Sequence, residues 1–286
     1  MYITLALLSA FILGCYDVFK KVSLKKSSIY ETLFFYCLCG FFVSLIFIKD
    51  AILVSMVDIL FILLKSCVIV VNWLLVIKCM EKLDVGIVVG FSLLGSILVV
   101  FASFFFFNEN VTWLHFLSLF FIFLGVILIT LLDRKENKKD IKNQYHYIFL
   151  LLVASLLSTL SALLDKYLIN MRGINNGALL FWFLLFISLM YGAIYLFKNK
   201  KIEWRKLKTN YPLVLTGVSI ALSDIVYYGA ISCSNAQISI ITILRKCNVI
   251  VATILASLFL KEKFLLKKLG ILLIMLIGIS IPIIFK

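Results

Sequence analysis

Apolar residues run through this chain in blocks of roughly twenty, the length that lets a helix cross the hydrocarbon core of a bilayer, with short polar breaks between the blocks. Reading blocks against breaks predicts helices over about 2–22, 29–48, 57–79, 85–107 and 113–132. Five more follow over about 147–168, 177–197, 212–232, 238–260 and 265–285. Between the two sets lies the longest hydrophilic stretch, DRKENKKDIKNQYH. The chain therefore divides into a first five-helix repeat over 1–132, a polar connection over 133–146 and a second five-helix repeat over 147–286.

Five spans on each side invite a search for repetition. A shift of 153 residues lays 72–130 over 225–283 without a gap and places Ile97 on Ile250, Phe106 on Phe259, Glu109 on Glu262 and Gly125 on Gly278. The first span aligns separately, with Lys21 over Lys166. An odd number of spans per copy makes the second copy enter the membrane from the opposite side. The expected fold is therefore an all-α membrane protein of ten transmembrane helices in two inverted five-helix repeats, a plan that secondary transporters use to place a site near the bilayer midplane.

Composition agrees with this pattern. The 286 residues are 64% hydrophobic and 15% charged, where soluble domains sit near half and about a quarter, and no long polar segment remains for a separate soluble domain. A net charge of +14 raises the question of nucleic acid, but the basic residues cluster in short gaps between apolar runs and form no accessible basic face. No nucleic-acid partner is expected; the expected partners are membrane lipid and a small-molecule substrate.

The seven cysteines lie mostly inside apolar stretches and read as small apolar filler. Cys37 and Cys39 lack the second ligand pair of a zinc knuckle, and His115 and His146 stand outside any metal or triad context. No cofactor is expected. Nor does any glycine-rich loop cradle a phosphate, so the energy for transport would come from an ion or solute gradient. The segment from Met1 to about Phe19 lacks a basic leader and an Ala-x-Ala exit, and reads as an uncleaved first helix.

Two stretches carry a family resemblance. SLFLKEKFLLKKLGILLIMLIGISI in the second half, with Glu262, Gly270 and Gly278, and ASFFFFNENVTWLHFLSLFFIFLGVIL in the first, with Glu109 and Gly125, resemble the EamA branch of the drug/metabolite transporter superfamily. The ninth span, with an arginine ahead of a small-polar and aliphatic run, resembles the same family. The chain departs from the pattern in having prolines only at Pro212 and Pro282, and in having Lys246 directly after Arg245. The resemblance implies ten helices around a central cavity, working by alternating access.

Charge inside a bilayer is costly, so each such residue should face a partner, a cavity or the bundle interior. Arg245 and Lys246 lie about seven residues into the ninth span, roughly 10 Å along a helix, with Asn248 close behind. They read either as a structural pair with a buried aspartate or as an anchor for a carboxylate or phosphate. Asp224 in the eighth span is the expected acidic counterpart, with Tyr227 and Tyr228 on or beside its face.

Ser158, Ser161 and Asp165 form a polar stripe on the sixth span, as interhelical bonding or as a cavity wall. In the first span stand Tyr16 and Asp17, the latter able to pair with Lys20 or Lys21. Asn72 and Trp73 in the third span are further candidates, and Ser92, matched to Arg245 by the repeat, completes the substrate-binding set.

The expected activity is secondary transport of a small polar metabolite, anionic or zwitterionic, at a cell membrane. A flippase for an anionic lipid-linked substrate is the alternative, and a membrane-embedded enzyme a further one; no catalytic cluster supports the latter. Orientation has two readings. Connections after the odd-numbered spans, taken with the span ends beside them, hold 21 of the 28 Lys and Arg, which places the termini outside by the positive-inside rule; the resemblance implies termini in the cytoplasm.

Overall fold

The computed structural model describes residues 1–82, 85–134, 145–199, 202–259 and 265–284. The described residues are helical almost throughout. In order they form α1 (Tyr2–Leu24), α2 (Ile29–Ser44), a 3-10 turn (Leu45–Phe47), α3 (Ile48–Ile52), α4 (Met56–Lys82), α5 (Val85–Phe107) and α6 (Trp113–Arg134). The second half continues with α7 (Tyr145–Lys166), a π-helical segment (Tyr167–Met171), α8 (Asn176–Asn199), α9 (Arg205–Thr209), α10 (Pro212–Ile231), α11 (Ile238–Arg245), α12 (Cys247–Phe259) and α13 (Leu265–Ile284).

Seven of the helical stretches are long and apolar enough to cross a membrane: Tyr2–Leu24, Ile29–Ile52, Met56–Cys79, Tyr145–Met171, Asn176–Asn199, Pro212–Ile231 and Ile238–Ala256. Shorter apolar helices cover Phe91–Phe107, Trp113–Leu128 and Gly270–Pro282. A helix satisfies its own backbone groups, which is why apolar sequence at this length adopts it in lipid. Local signals set several ends. Ser28 accepts from the Glu31 amide while Glu31 accepts from the Ser28 amide, a capping box that starts α2. Pro212 opens α10 at a position where a missing N–H costs nothing.

Three spans are less regular than the apolar pattern predicts. The second runs through a 3-10 turn into α3, and the sixth is prolonged by the π segment to Met171. The ninth breaks at Lys246, where the Lys246 amide donates to Ile243 O at 3.0 Å and the Val249 amide to Lys246 O at 3.2 Å. Those i to i−3 bonds tighten the backbone locally and separate α11 from α12.

The chain forms two compact units. Unit 1 holds Met1–Val70 and Asp165–Ala236, and unit 2 holds Val71–Leu164 and Gln237–Lys286. Each draws on both halves of the sequence, and α4 and α7 pass from one unit into the other, α4 after Val70 and α7 after Leu164.

In unit 1, α10 packs on α1, α2 and α8, and α8 also packs on α2 and α3. Small residues bring the backbones close: a Cβ on Gly217 would lie 2.9 Å from the Gly40 amide nitrogen. Ser9 and Ser223 exchange hydroxyl-to-carbonyl hydrogen bonds, each 3.0 Å, where α1 meets α10. The interior is rich in aromatics, with Tyr36, Tyr191, Tyr195 and Tyr228 among the fully buried side chains. The Phe34 and Tyr195 rings stack 5.6 Å apart.

In unit 2, α6 packs on α13 and α5, and α11 on α5, α6 and α13. The α6–α13 contact is tightest at glycines. A Cβ on Gly278 would lie 2.8 Å from Ser118 O, and one on Gly125 would lie 3.6 Å from Ile271 O. Ser118 Oγ donates to Gly278 O at 2.5 Å. Phe104, Phe105 and Phe106 at the end of α5 are exposed, as an apolar surface in contact with lipid should be.

Candidate transport-site residues

Unit 1 contains a buried cation that the apolar-run reading passes over. Lys65 lies about 14 Å along α4 at 1.5 Å per residue and is 2% exposed. Its Nζ is 2.6 Å from Asp165 Oδ1 and donates to Tyr228 Oη at 2.7 Å. The same ammonium sits 3.8 Å from the Phe183 ring centroid and 5.0 Å from that of Tyr228. A lone buried charge would be costly; here a carboxylate, a hydroxyl and two ring faces compensate it.

Asp165 thus ends α7 in an ion pair within unit 1, and the two residues before it on the predicted stripe lie in unit 2. Ser161 is buried and Ser158 exposed. Their neighbours Ser155 and Thr159 hold α7 on α5, donating to Phe91 O at 2.7 Å and to Gly95 O at 3.1 Å. That face of α7 is a packing face, as hydroxyls between membrane helices commonly make.

Directly after Asp165, Lys166 Nζ donates to Ala236 O at 3.4 Å and the helix widens into the π segment. Gly173 then takes φ of +68°, a conformation that favours glycine. Arg172 pairs with Asp58 at 2.7 Å, and that carboxylate raises the Arg172 guanidinium above its ordinary value.

On α10, Asp224 and Tyr227 are buried, and the Tyr227 and Tyr228 rings lie 5.5 Å apart. On α1, Tyr16 is buried with its ring edge-on to Tyr36 at 5.8 Å. Lys20 Nζ lies 4.5 Å over the Tyr16 ring and 3.4 Å from Asp17. Unit 1 therefore contains Tyr16, Asp17, Asp165, Asp224, Tyr227 and Tyr228, of which Asp165 and Tyr228 contact Lys65.

Unit 2 holds the other predicted residues. Arg245 ends α11, Lys246 occupies the break, and Asn248 stands in the first turn of α12; all three are half-buried. Lys246 Nζ donates to Ser92 O at 3.2 Å, so the residue matched to Arg245 by the repeat offers its carbonyl to Arg245's neighbour. α12 begins at Cys247, directly after these two cations. Asn72 is buried and Trp73 half-buried on α4.

Glu109 has a structural role that sequence reading assigned only as a repeat landmark. Its carboxylate is 6% exposed and accepts from the Ile238 amide at 2.6 Å, the Ser239 amide at 3.0 Å and the Ser239 hydroxyl at 2.5 Å. A residue remote in sequence thereby caps the start of α11 and satisfies amides that a helix N-terminus leaves open. Asn108, at φ of 48°, turns the chain that presents it. The repeat counterpart Glu262 lies outside the described residues.

Among the described residues, no group of three or more His, Cys, Asp or Glu is placed to hold a metal ion.

Comparison with known proteins adds the family. The sequence model of the EamA-like transporter family, part of the drug/metabolite transporter superfamily, matches residues 1–131 and 146–283. No curated protein matches the chain. A crystal structure, titled only as that of a protein, superimposes with a TM-score of 0.79 at 9% sequence identity, covering 99% of this chain and 96% of its own. At that identity the likeness is one of fold.

Proposed function

The chain belongs to the EamA-like transporter family, and from that premise we propose that it is a secondary transporter, moving a small polar metabolite that is anionic or zwitterionic by alternating access. The observation that carries this reading is the interrupted ninth span. Arg245 and Lys246 stand at a break between α11 and α12 with Asn248 beside them, and broken helices are how transporters bring helix ends and backbone groups to a solute within the membrane. The two side-chain charges act in the same direction, toward a carboxylate or phosphate.

Ten spans in two inverted repeats supply the frame for alternating access in this reading. Four observations support it. The family match falls into two stretches on either side of the polar connection. The seven long apolar helices and three shorter ones follow the ten expected positions. The shift of 153 carries the start of α5 at Val85 onto the start of α11 at Ile238. It also exchanges the two glycine contacts of α6 with α13, since Gly125 against Ile271 O becomes Gly278 against Ser118 O. Repeat-related helices packing on each other through repeat-related residues is what a pseudo-twofold axis in the membrane plane produces.

The test begins with a thermal-shift screen of the purified protein against anionic, zwitterionic and neutral metabolites, because a ligand of the folded state raises apparent stability. Uptake of the best stabiliser into proteoliposomes then follows for wild type, Arg245→Lys and Arg245→Ala. Loss of a charge-assisted contact of about 1.5–3 kcal/mol corresponds to roughly a tenfold to hundredfold loss of transport in Arg245→Ala, with Arg245→Lys between. Unchanged uptake by a folded Arg245→Ala protein removes Arg245 from the site.

A further inference from the structure

Lys65 and Asp165 do more than neutralise each other. Lys65 has two sets of partners: the carboxylate of Asp165 at 2.6 Å, and a cage made by Tyr228 Oη at 2.7 Å with the ring faces of Phe183 and Tyr228 at 3.8 and 5.0 Å. The second set satisfies the protons of the ammonium that the carboxylate does not take, as a buried pair requires. The cage can hold the ammonium while the carboxylate is neutral, so the pair has two compensated states instead of one.

The pair's place in the fold gives those states a consequence. Asp165 is the residue at which α7 enters unit 1, and Lys65 lies just before α4 leaves it after Val70. These are the two helices that continue from one compact unit into the other. The π segment begins two residues beyond Asp165, and such segments recur at functional positions because their backbone hydrogen bonding has near alternatives.

We propose that Asp165 and Lys65 form a proton-binding switch of the transport cycle. A proton adds to a carboxylate oxygen of Asp165; Lys65 keeps its own proton and passes to Tyr228 and the rings; the site gains one positive charge. Loss of that proton restores the pair. The driving ligand is therefore the proton, and the deepening rests on the transporter reading above.

The surrounding elements carry other ionisable groups. On α4, Asp58 is paired with Arg172. On α7, Lys166 donates to Ala236 O, and in the π segment Tyr167 packs edge-on against Phe61. From α10 come Asp224, Tyr227 and Tyr228; α8 contributes Tyr191, which donates to Val70 O, Tyr195, stacked on Phe34, and Lys198, bonded to Tyr30.

A hydrophobic carbodiimide tests this without a transported solute, because it reacts with protonated carboxyls and leaves a stable N-acylurea. The full-length protein in lipid nanodiscs is treated with dicyclohexylcarbodiimide across a pH series and the α7 peptide is analysed by mass spectrometry; Asp165 is the single carboxylate of that helix. Wild type should be modified at Asp165, about tenfold faster per unit fall in pH while the ion pair predominates, and Lys65→Met should react faster still. Modification of Lys65→Met with neither an N-acylurea nor a Lys65–Asp165 amide cross-link in wild type shows a pair that never opens and overturns the proposal.

If steric hindrance keeps the reagent from both proteins, infrared difference spectra between alkaline and acid pH decide. A carboxyl C=O band present in wild type and missing from Asp165→Asn supports the switch, and indistinguishable spectra overturn it. Both measurements are independent of whether Arg245→Ala loses transport, so failure of the switch and failure of the solute site are separable.

Discussion

Glu109 shows what a single side chain can do when its partners are fixed backbone donors. Two amides and a hydroxyl converge on one carboxylate that is 6% exposed, and hydrogen bonds to an ionised group contribute about 1.5–3 kcal/mol each when a partner's loss would strand the others. Glu109→Ala removes every acceptor at once and leaves two helix-start amides buried without a carboxylate. We expect it to lower stability by about 3 kcal/mol or more, read as a fall in melting temperature in detergent, while Glu109→Gln, which keeps one carbonyl acceptor and turns an NH2 donor toward the other amide, falls between wild type and Glu109→Ala. Equal melting of Glu109→Ala and wild type would show that the cap contributes nothing. Lys65 is the opposite case at the same scale: its sequence signal, a lysine deep in a 24-residue apolar helix, was available from the cost of charge in a bilayer, but an apolar-run reading averages one lysine away. The partner was not available at all, because Asp165 lies a hundred residues on and no local spacing connects them.

Helices in lipid gain little from apolar burial alone, since acyl chains are as apolar as leucine, so close backbone approach and a few hydrogen bonds decide which faces pair. The α6–α13 contact is of this kind. Gly278 lies against Ser118 O and the Phe121 Cβ, each 2.8 Å from where a Cβ would stand, whereas a Cβ on Gly270 in the same helix would meet nothing within 4 Å. The same substitution should therefore act in opposite directions at the two sites. Gly270→Ala exchanges a poor helix former for the best one, by about 1 kcal/mol, and should leave melting unchanged or raise it. Gly278→Ala forces backbone apart and should lower it by about 1–3 kcal/mol, measured by thermal unfolding of the two purified variants. A destabilised Gly270→Ala or an indifferent Gly278→Ala would mean that α13 meets α6 elsewhere. Helix positions were readable from the apolar blocks because length and hydropathy act locally. The break at Lys246 and the π segment after Lys166 were not, because hydropathy sets the length of an apolar run and not the hydrogen-bond register of the backbone inside it.

At the scale of the whole molecule the basic residues fall into three sets with different physical duties. The connections after the odd-numbered spans, with the span ends beside them, hold 21 of the 28 Lys and Arg; the even-numbered connections with their span ends, and the termini, hold Lys49, Lys166, Arg172 and Lys286; Lys65, Arg245 and Lys246 lie deeper within spans. Within the third set the structure pairs Lys65 with Asp165 and places Lys246 on Ser92 O, and residues deep in a span fall outside the loops that the positive-inside rule counts. Within the second set Arg172 is paired with Asp58 and Lys166 donates to Ala236 O, and all four residues together are the contribution of that side. The asymmetry that orients a membrane protein counts basic residues in short loops near the ends of spans, and it is strongly one-sided here. We therefore expect both termini outside the cytoplasm, against the orientation that family resemblance alone implies. A fusion at Lys286 to alkaline phosphatase, active only after export, should be active, and the matching fusion to a fluorescent protein that folds only in the cytoplasm should be dark. The reverse pair of results would put the lysine-rich connections outside, and would require that the charges of the interior set or the order of insertion override 21 basic residues.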